Sequence, residues 1–432
     1  MESKRAAIDL GAGSGRIFWG NSEDFREIHR FPNTWNFKET LASIREGLKK
    51  LSGCRVDSVS CDSWAQDFGL LDRTGKLFYE PVPYWSGRAD STPAKVAEIL
   101  PEDELFRWCG TRRLSAISTL AQWKYMAENE ADVLTRAARL LPVADLVNYK
   151  LCGQCALDFS LASAAKLLEP GSDRCHRQFL LKLGLDPALI GDCCAAPGVI
   201  GETVPGEAVP PEMAGIPVIS GIGHDTASAF CGCDIQPGEA VLSLGSWAML
   251  GTLDPETGPK PGTAVMGIVP GQYVRVVSRS GTRLLQQCVK QWQEQGIWPG
   301  YPEFDAAVKT SDFPGTFDAE QIHFPPPDGD MLKEISHRCS REPRSVEDFG
   351  KALCRSVAAG IADGIRVLEK HTGGPFRWLK VSGGGIADGN LLAELQKLLD
   401  CPVNIVCREA AVKGNLLIQE RIIGKTIQRL ST

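Results

Sequence analysis

No stretch of this sequence approaches the roughly 18 consecutive apolar residues that a membrane-crossing helix needs. The opening MESKRAAIDLGAG has only three apolar positions before Asp9, too few for the apolar heart of a secretory leader, so a cytoplasmic protein is expected. Clusters of Lys and Arg are missing too, and the net charge is −6, which argues against nucleic acid or an anionic membrane as partner. Fifteen cysteines are present, yet zinc-like spacing is absent. Cys152 and Cys155 form a lone CxxC, Cys231 and Cys233 a lone CxC, and Cys193 and Cys194 are adjacent. They read as reduced, mostly buried thiols. HExxH and GxSxG do not occur, which removes the common zinc-peptidase and hydrolase signatures. IIGKT (422–426) carries GK[ST], but Gln419 stands where a Walker loop needs its first glycine, and the segment reads as the end of a helix.

What remains is an ordinary globular composition, 43% apolar and 23% charged over 432 residues. That length exceeds one hydrophobic core, so two domains and a cleft between them are expected. Residues 5–20 read as strand, glycine turn and strand. Phe37, Leu41, Ile44, Leu48 and Leu51 mark one face of a helix. A strand over 56–61 and a hairpin over 68–78 follow, then helical patterns from about 117 to 183, with Gly153 suited to end one of them. The Gly/Pro-rich stretch 196–217 separates two parts, and the division is placed between 1–222 and 223–432. AVLSLGSWAMLGTL (240–253) repeats the strand–turn–strand order of 6–20, with Ser243 where Asp9 stands. Duplication explains this, and so does the commonness of hairpins. A helix over 345–371, a strand over 376–382, a strand over 403–407 and a last helix complete an α/β fold.

Three glycine-bearing segments carry chemistry. In DLGAGSGR (9–16) a tight turn lets backbone N–H groups converge on an anion. Arg16 occupies the position of the last glycine of a dinucleotide fingerprint, and strand follows where a helix would be required. A carboxylate at Asp9 would repel phosphate without a cation between them, which points to Mg²⁺. In VISGIGHDTASAF (218–230) a strand ends in glycines and a helix begins at His224-Asp225-Thr226. Asp225 reads either as a base beside an anion-binding helix start or as a helix cap with His224 in the core. In LKVSGGGIADGN (379–390), Gly383, Gly384 and Gly385 let backbone lie against a ligand. CDSWAQDFGLLD (61–72) and YWSGRAD (84–90) supply Trp64, Asp67, Trp85 and Arg88, groups that bind sugar hydroxyls and stack on sugar faces and that also occur on plain surface loops.

Together these segments resemble the FGGY carbohydrate kinases, and within them the rhamnulokinase branch, to which GHDT (223–226) points. The likeness also covers LSLGSW (242–247), VSGGG (381–385), EIHRFPN (27–33), RLLQQCVKQWQEQ (283–295) and EAAVKGNLLIQ (409–419). It implies a two-lobed actin-like ATPase (ribonuclease H-like) fold with a cleft between lobes, and transfer of the γ-phosphoryl group of ATP to a ketose hydroxyl with Mg²⁺. The acceptor implied is L-rhamnulose or a related deoxyketose; fuculose, xylulose or a polyol is the alternative, and a non-catalytic nucleotide-binding regulator of the same fold is a second. By the resemblance Asp225 is the catalytic base. Ala12, Gly13, Ser14, Gly15 and Arg16 face phosphate, while Ser246, Gln295 and Gly384, flanked by Gly383 and Gly385, contact nucleotide. Ala65, His224, Thr226 and Gln287 contact sugar. The branch pattern has glycine at Ala65, aspartate at Ser86, threonine at Ser246 and asparagine at Gln287, so the sugar pocket is reshaped. The chain ends soon after the last motif, without the C-terminal helices that return to the first lobe in the family, which implies looser lobe closure or completion by a partner subunit in a homodimer.

Overall fold

The computed structural model describes residues 3–109, 111–191, 196–322 and 329–430, with side chains as far as residue 424. The chain groups into two compact units. The first takes residues up to Asp234, Pro255–Val274 and the segment from Ala410; the second takes Ile235–Asp254 and Arg275–Glu409. This grouping differs from the expected division at 222/223 by three segments: 223–234, 255–274 and 410 onward lie with the first unit.

The strands of the first unit are β1 (Arg5–Leu10), β2 (Ser14–Gly20), β3 (Phe25–Pro32), β4 (Val59–Ser63), β5 (Phe68–Asp72), β6 (Leu77–Tyr79), β7 (Ala137–Pro142), β8 (Gly198–Glu202) and β9 (Pro217–Ser220). Every residue of β1 is buried, as a strand covered on both faces requires. It lies inside a sheet of order β3-β2-β1-β4-β9-β8. β1 pairs antiparallel with β2, setting Asp9 opposite Arg16. It pairs parallel with β4, setting Asp9 beside Asp62, and β4 pairs parallel with β9. Three parallel strands therefore end at one edge, where loops of an α/β sheet gather ligands. The helix Phe37–Lys49 starts where Asn36 accepts from the Glu39 N–H at 3.1 Å, and it buries the face read from its spacing. Gly153 ends the helix Val143–Cys152 in the left-handed conformation, at φ +72°.

One expectation is corrected here. The helical reading of 117–183 is interrupted by β7, which pairs antiparallel with β5, Leu140 opposite Leu70. AARLLP has helical propensities, and pairing with an apolar neighbour overrides them.

The last helix, Ala410–Leu430, belongs to the first unit, which corrects the expectation that no C-terminal helix returns there. It crosses the helix Asp225–Gly232 at backbone distance. A Cβ on Gly232 would strike the Ala410 carbonyl and the Gly414 nitrogen, and one on Gly414 would strike the Ser228 carbonyl. Asn415 and Gln419, buried one turn apart, reach into the sheet: Asn415 donates to Asp62 at 2.6 Å, and Gln419 donates to the Ala6 carbonyl at 3.1 Å while accepting from the Ser58 hydroxyl at 2.7 Å.

In the second unit, β10 (Ala240–Leu244) and β11 (Trp247–Leu253) form an antiparallel hairpin, and β10 pairs parallel with Leu379–Ser382. The register puts Ser243 beside Ser382, as Asp9 stands beside Asp62. The hairpin-plus-parallel-strand arrangement thus occurs once per unit. IIGKT lies within the last helix, near its end, as its sequence implied. Among the described residues, the cysteines other than Cys175 and Cys233 are free thiols; Cys193 and Cys194 lie outside the described residues.

Candidate active site

Asp9, Asp62 and Asp225 come from the ends of β1, of β4 and of the loop after β9. Ser63 donates its N–H to the Gly223 carbonyl at 2.8 Å, tying the last two of these together. Asp225 is the first residue of its helix, preceded by His224 as N-cap, so the capping role falls to the neighbouring position. Its carboxylate accepts from the Thr226 N–H at 2.5 Å and the Thr226 hydroxyl at 3.1 Å. The depth of the site pushes the carboxyl up to about 6 against those bonds, although 33% of the side chain stays exposed. Asp62 has no exposure, and burial followed by the charge of Asp9 raises it well above the usual range, opposed by Asn415. One of its oxygens has no protein partner. His224 is pushed down to about 4 by burial and by Lys166, so its ring is neutral at physiological pH. Its Nδ1 is buried and unpartnered.

The turn between β1 and β2 closes with Gly11 N–H donating to the Ser14 carbonyl at 3.0 Å. Ala12 and Gly13 are exposed at its tip, and space beyond Gly13 is open. Gly15 has a different reason to be glycine, because a Cβ there would enter the Phe31 ring. Arg16 forms an ion pair with Asp9 and lies 5.4 Å from the Phe18 ring centroid.

Trp64, Asp67 and Arg88 are brought together. The Trp64 indole donates to Asp67 at 2.8 Å, and Gln122 donates to the other Asp67 oxygen at 3.2 Å. Arg88 donates to Gln122 at 2.6 Å and to the Tyr79 hydroxyl at 2.7 Å. Burial lifts Asp67 to about 6. Ala65 is 2% exposed, its carbonyl accepting from Thr119 at 3.2 Å.

In the second unit, the β10–β11 turn and the turn after Ser382 lie side by side. A Cβ on Gly383, at φ +93°, would meet the Leu244 backbone, and one on Gly385 would meet the Leu244 side chain. Only Gly384 of the three faces open space. Ser246 is exposed, its hydroxyl 3.4 Å from Gln286. Gln287 lies in the second turn of the helix Arg283–Glu294, whereas Gln295 caps its far end, about 18 Å along the axis from Arg283 at 1.5 Å per residue. Ser246 and Gln295 are therefore not neighbours. Gln287 belongs to the second unit, while Ala65, His224 and Thr226 belong to the first.

The sequence matches the N-terminal domain of the FGGY family of carbohydrate kinases over residues 25–232. Rhamnulokinase from Enterobacter sp. (strain 638) is 29% identical over 448 residues, covering 96% of this chain and 88% of that protein. The chain is therefore similar to the FGGY family of carbohydrate kinases, by the family match over residues 25–232 and by the likeness to a rhamnulokinase along nearly its whole length. Plasmodium falciparum glycerol kinase, solved with ADP, matches the structure with a TM-score of 0.79 at 13% identity, over 97% of this chain and 89% of that one. Xylulose kinase from Rhodospirillum rubrum matches at 0.76 and 14%, over 98% and 90%. At such identities the likeness establishes the fold alone, an actin-like α/β architecture.

Several residues around the site have roles that no motif spells out. Asp62 lies in CDSWAQDF, and Asn415 and Gln419 in EAAVKGNLLIQ, segments that carry the resemblance without giving these side chains a role. Gln122 joins Asp67 to Arg88. Trp35 is held at φ +59°, a conformation that costs a bulky residue free energy. Its N–H donates to Asn33 Oδ1 at 2.9 Å, and Asn33 in turn donates to the Gly11 carbonyl at 3.1 Å. The Trp35 ring sits 4.9 Å from Trp64, 5.9 Å from Tyr84 and 5.6 Å from Trp85, so the hairpin turn and the aromatic wall are linked through one asparagine.

Proposed function

We propose that this protein is an FGGY kinase that transfers the γ-phosphoryl group of ATP to a ketose hydroxyl, with L-rhamnulose or a related deoxyketose as acceptor and Asp225 as the base. The observation that carries the reading is the place of Asp225: first in its helix, at the edge where three parallel strands end, deep yet open on one side. As the acceptor oxygen attacks phosphorus, its proton passes to the Asp225 carboxylate and the bond to the departing ADP oxygen breaks. The free N–H groups at the helix start favour a negative charge there. Neutral His224 offers its unpartnered Nδ1 to a sugar hydroxyl, with Thr226 beside it, and the wall of Trp64, Ala65, Asp67 and Arg88 supplies shape. Ala12 to Arg16 are proposed to cradle phosphate. Ser246, Gln295 and the open face at Gly384 are proposed for the nucleotide, and Gln287 as a sugar contact. Gly383 and Gly385 support Gly384 by packing.

The donor set fits Mg²⁺. Asp9 and Asp62 supply oxygen alone, one Asp62 oxygen is unclaimed by protein, and no cluster of three or more His, Cys, Asp or Glu among the described residues makes a closed cage; a cation that keeps most of its water suits such a place. Asp9 and Asp62 would hold it, and when bound it would neutralise charge on the phosphate oxygens. No helix among the described residues is long and apolar enough to cross a membrane. Free thiols suit the reducing cytoplasm, where we place the enzyme.

Release of ADP measured side by side with L-rhamnulose, L-fuculose, D-xylulose and glycerol tests the proposal. Fastest turnover on the deoxyketoses is expected. Preference for xylulose or glycerol would move the acceptor, and no turnover on any would overturn the reading.

A further inference from the structure

The loop that delivers Asp225 is fastened from behind by the start of the helix Phe159–Ala164. Asp158 caps the helix Phe159–Ala164, accepting from the Leu161 N–H at 3.0 Å and from the Ser160 hydroxyl. It also accepts from the backbone N–H of Gly223. Ser160 accepts the His224 N–H at 3.0 Å. One hydroxyl therefore donates to the carboxylate and receives the residue that precedes Asp225. Gly223 lies so close that a Cβ would sit 2.7 Å from Leu161 Cδ1 and 3.2 Å from Asp158 Cγ. Behind Asp158, its own N–H donates to Asp145 at 3.0 Å. Asp158, Ser160 and Asp145 are at most 2% exposed.

Two carboxyls this close in the interior do not both carry charge at modest cost. Asp158 has several donors aimed at it, so it is the anion. Asp145, raised well above the usual range by burial and then by Asp158, has one donor and is the neutral acid. A buried anion ringed by N–H and O–H donors makes a stiff anchor, because releasing any donor leaves charge unsatisfied.

We infer that Asp158 and Ser160 are positioning residues for phosphoryl transfer, holding Gly223 and His224 so that Asp225 meets the acceptor hydroxyl in line. The inference rests on Asp225 being the base. A misplacement of the base by about 1 Å can cost about a hundredfold in rate, with little effect on substrates bound elsewhere.

The test compares Ser160→Ala with Ser163→Ala. Ser163 lies in the same helix and accepts from the Gly267 N–H at 2.8 Å, so its variant controls for loss of a hydroxyl that accepts a backbone hydrogen bond. For Ser160→Ala, kcat is expected to fall by about tenfold to a hundredfold with KM for ATP and ketose within about threefold, and the His224 amide is expected to exchange hydrogen faster. Ser163→Ala should keep kcat and leave that amide protected. Equal kcat in the two variants, or unchanged exchange at His224 in Ser160→Ala, overturns the inference. If the wild type turns over no ketose, the proposed function fails by itself, and the exchange measurement still decides whether Ser160 holds the loop.

Discussion

Replacing Asp225 by asparagine changes one atom and no shape. The Thr226 N–H and hydroxyl, which donate to Asp225 at 2.5 and 3.1 Å, still find an acceptor in the amide oxygen, so the helix start persists. What is removed is the ability to take a proton, a contribution of roughly 10²–10⁴ in rate, or about 3–5 kcal/mol of barrier at about 1.4 kcal/mol per tenfold. Stability should move the other way. The folded carboxyl titrates at about 6, above its ordinary value of 3.8, so the folded state binds this proton more tightly than the unfolded chain does. Wild type accordingly loses stability as pH rises from about 4 to about 6, and above that carries the cost of an ionised buried group. The 33% side-chain exposure moderates that cost. Asparagine carries none of it. ADP release at saturating ketose and urea unfolding at pH 7.5 and 4.5 check both arms: turnover down at least about a hundredfold, stability at pH 7.5 at least that of wild type, and wild type gaining on the variant at pH 4.5. In wild type, turnover should fall about tenfold per pH unit below about 6. A variant keeping a tenth of wild-type turnover, or one less stable at pH 7.5, refutes the reasoning.

Gly414→Ala places a methyl against the Ser228 carbonyl, and the two helices must part at a cost of about 1–3 kcal/mol; an unchanged urea midpoint contradicts the crossing described. Asp9→Ala removes a proposed cation-holding carboxylate and the partner of Arg16, so the Mg²⁺ concentration for half-maximal activity should rise steeply. An unaltered metal dependence counts against the role of Asp9.

Local signals were legible and distant ones were not. The turn DLGAGSGR and the buried face of Phe37–Lys49 are written in neighbouring residues, and the structure has both. AARLLP has no local mark of a strand, since only pairing with Phe68–Asp72 makes it one. Asp62 and Asn415 are 353 residues apart, and neither is informative alone. The run Gly383–Gly385 was legible as special but not in kind: Leu244 demands two of the glycines for packing and leaves one open. Motif reasoning finds residues that touch ligands, whereas Asp158, Ser160, Gln122 and Trp35 act on other residues.

Because Ala410–Leu430 is the piece that finishes the N-terminal sheet, a nascent chain cannot finish its first unit in the order in which it is made. Ala6 and Ser58 must wait for Gln419 to leave the ribosome, with the whole second unit synthesised in between. Domains that fold early during synthesis shelter their apolar surface early; here the sheet face beside the Asp225 helix, with Ala7 and Phe18, stays uncovered until translation is nearly over, a window in which chaperone capture or aggregation would act.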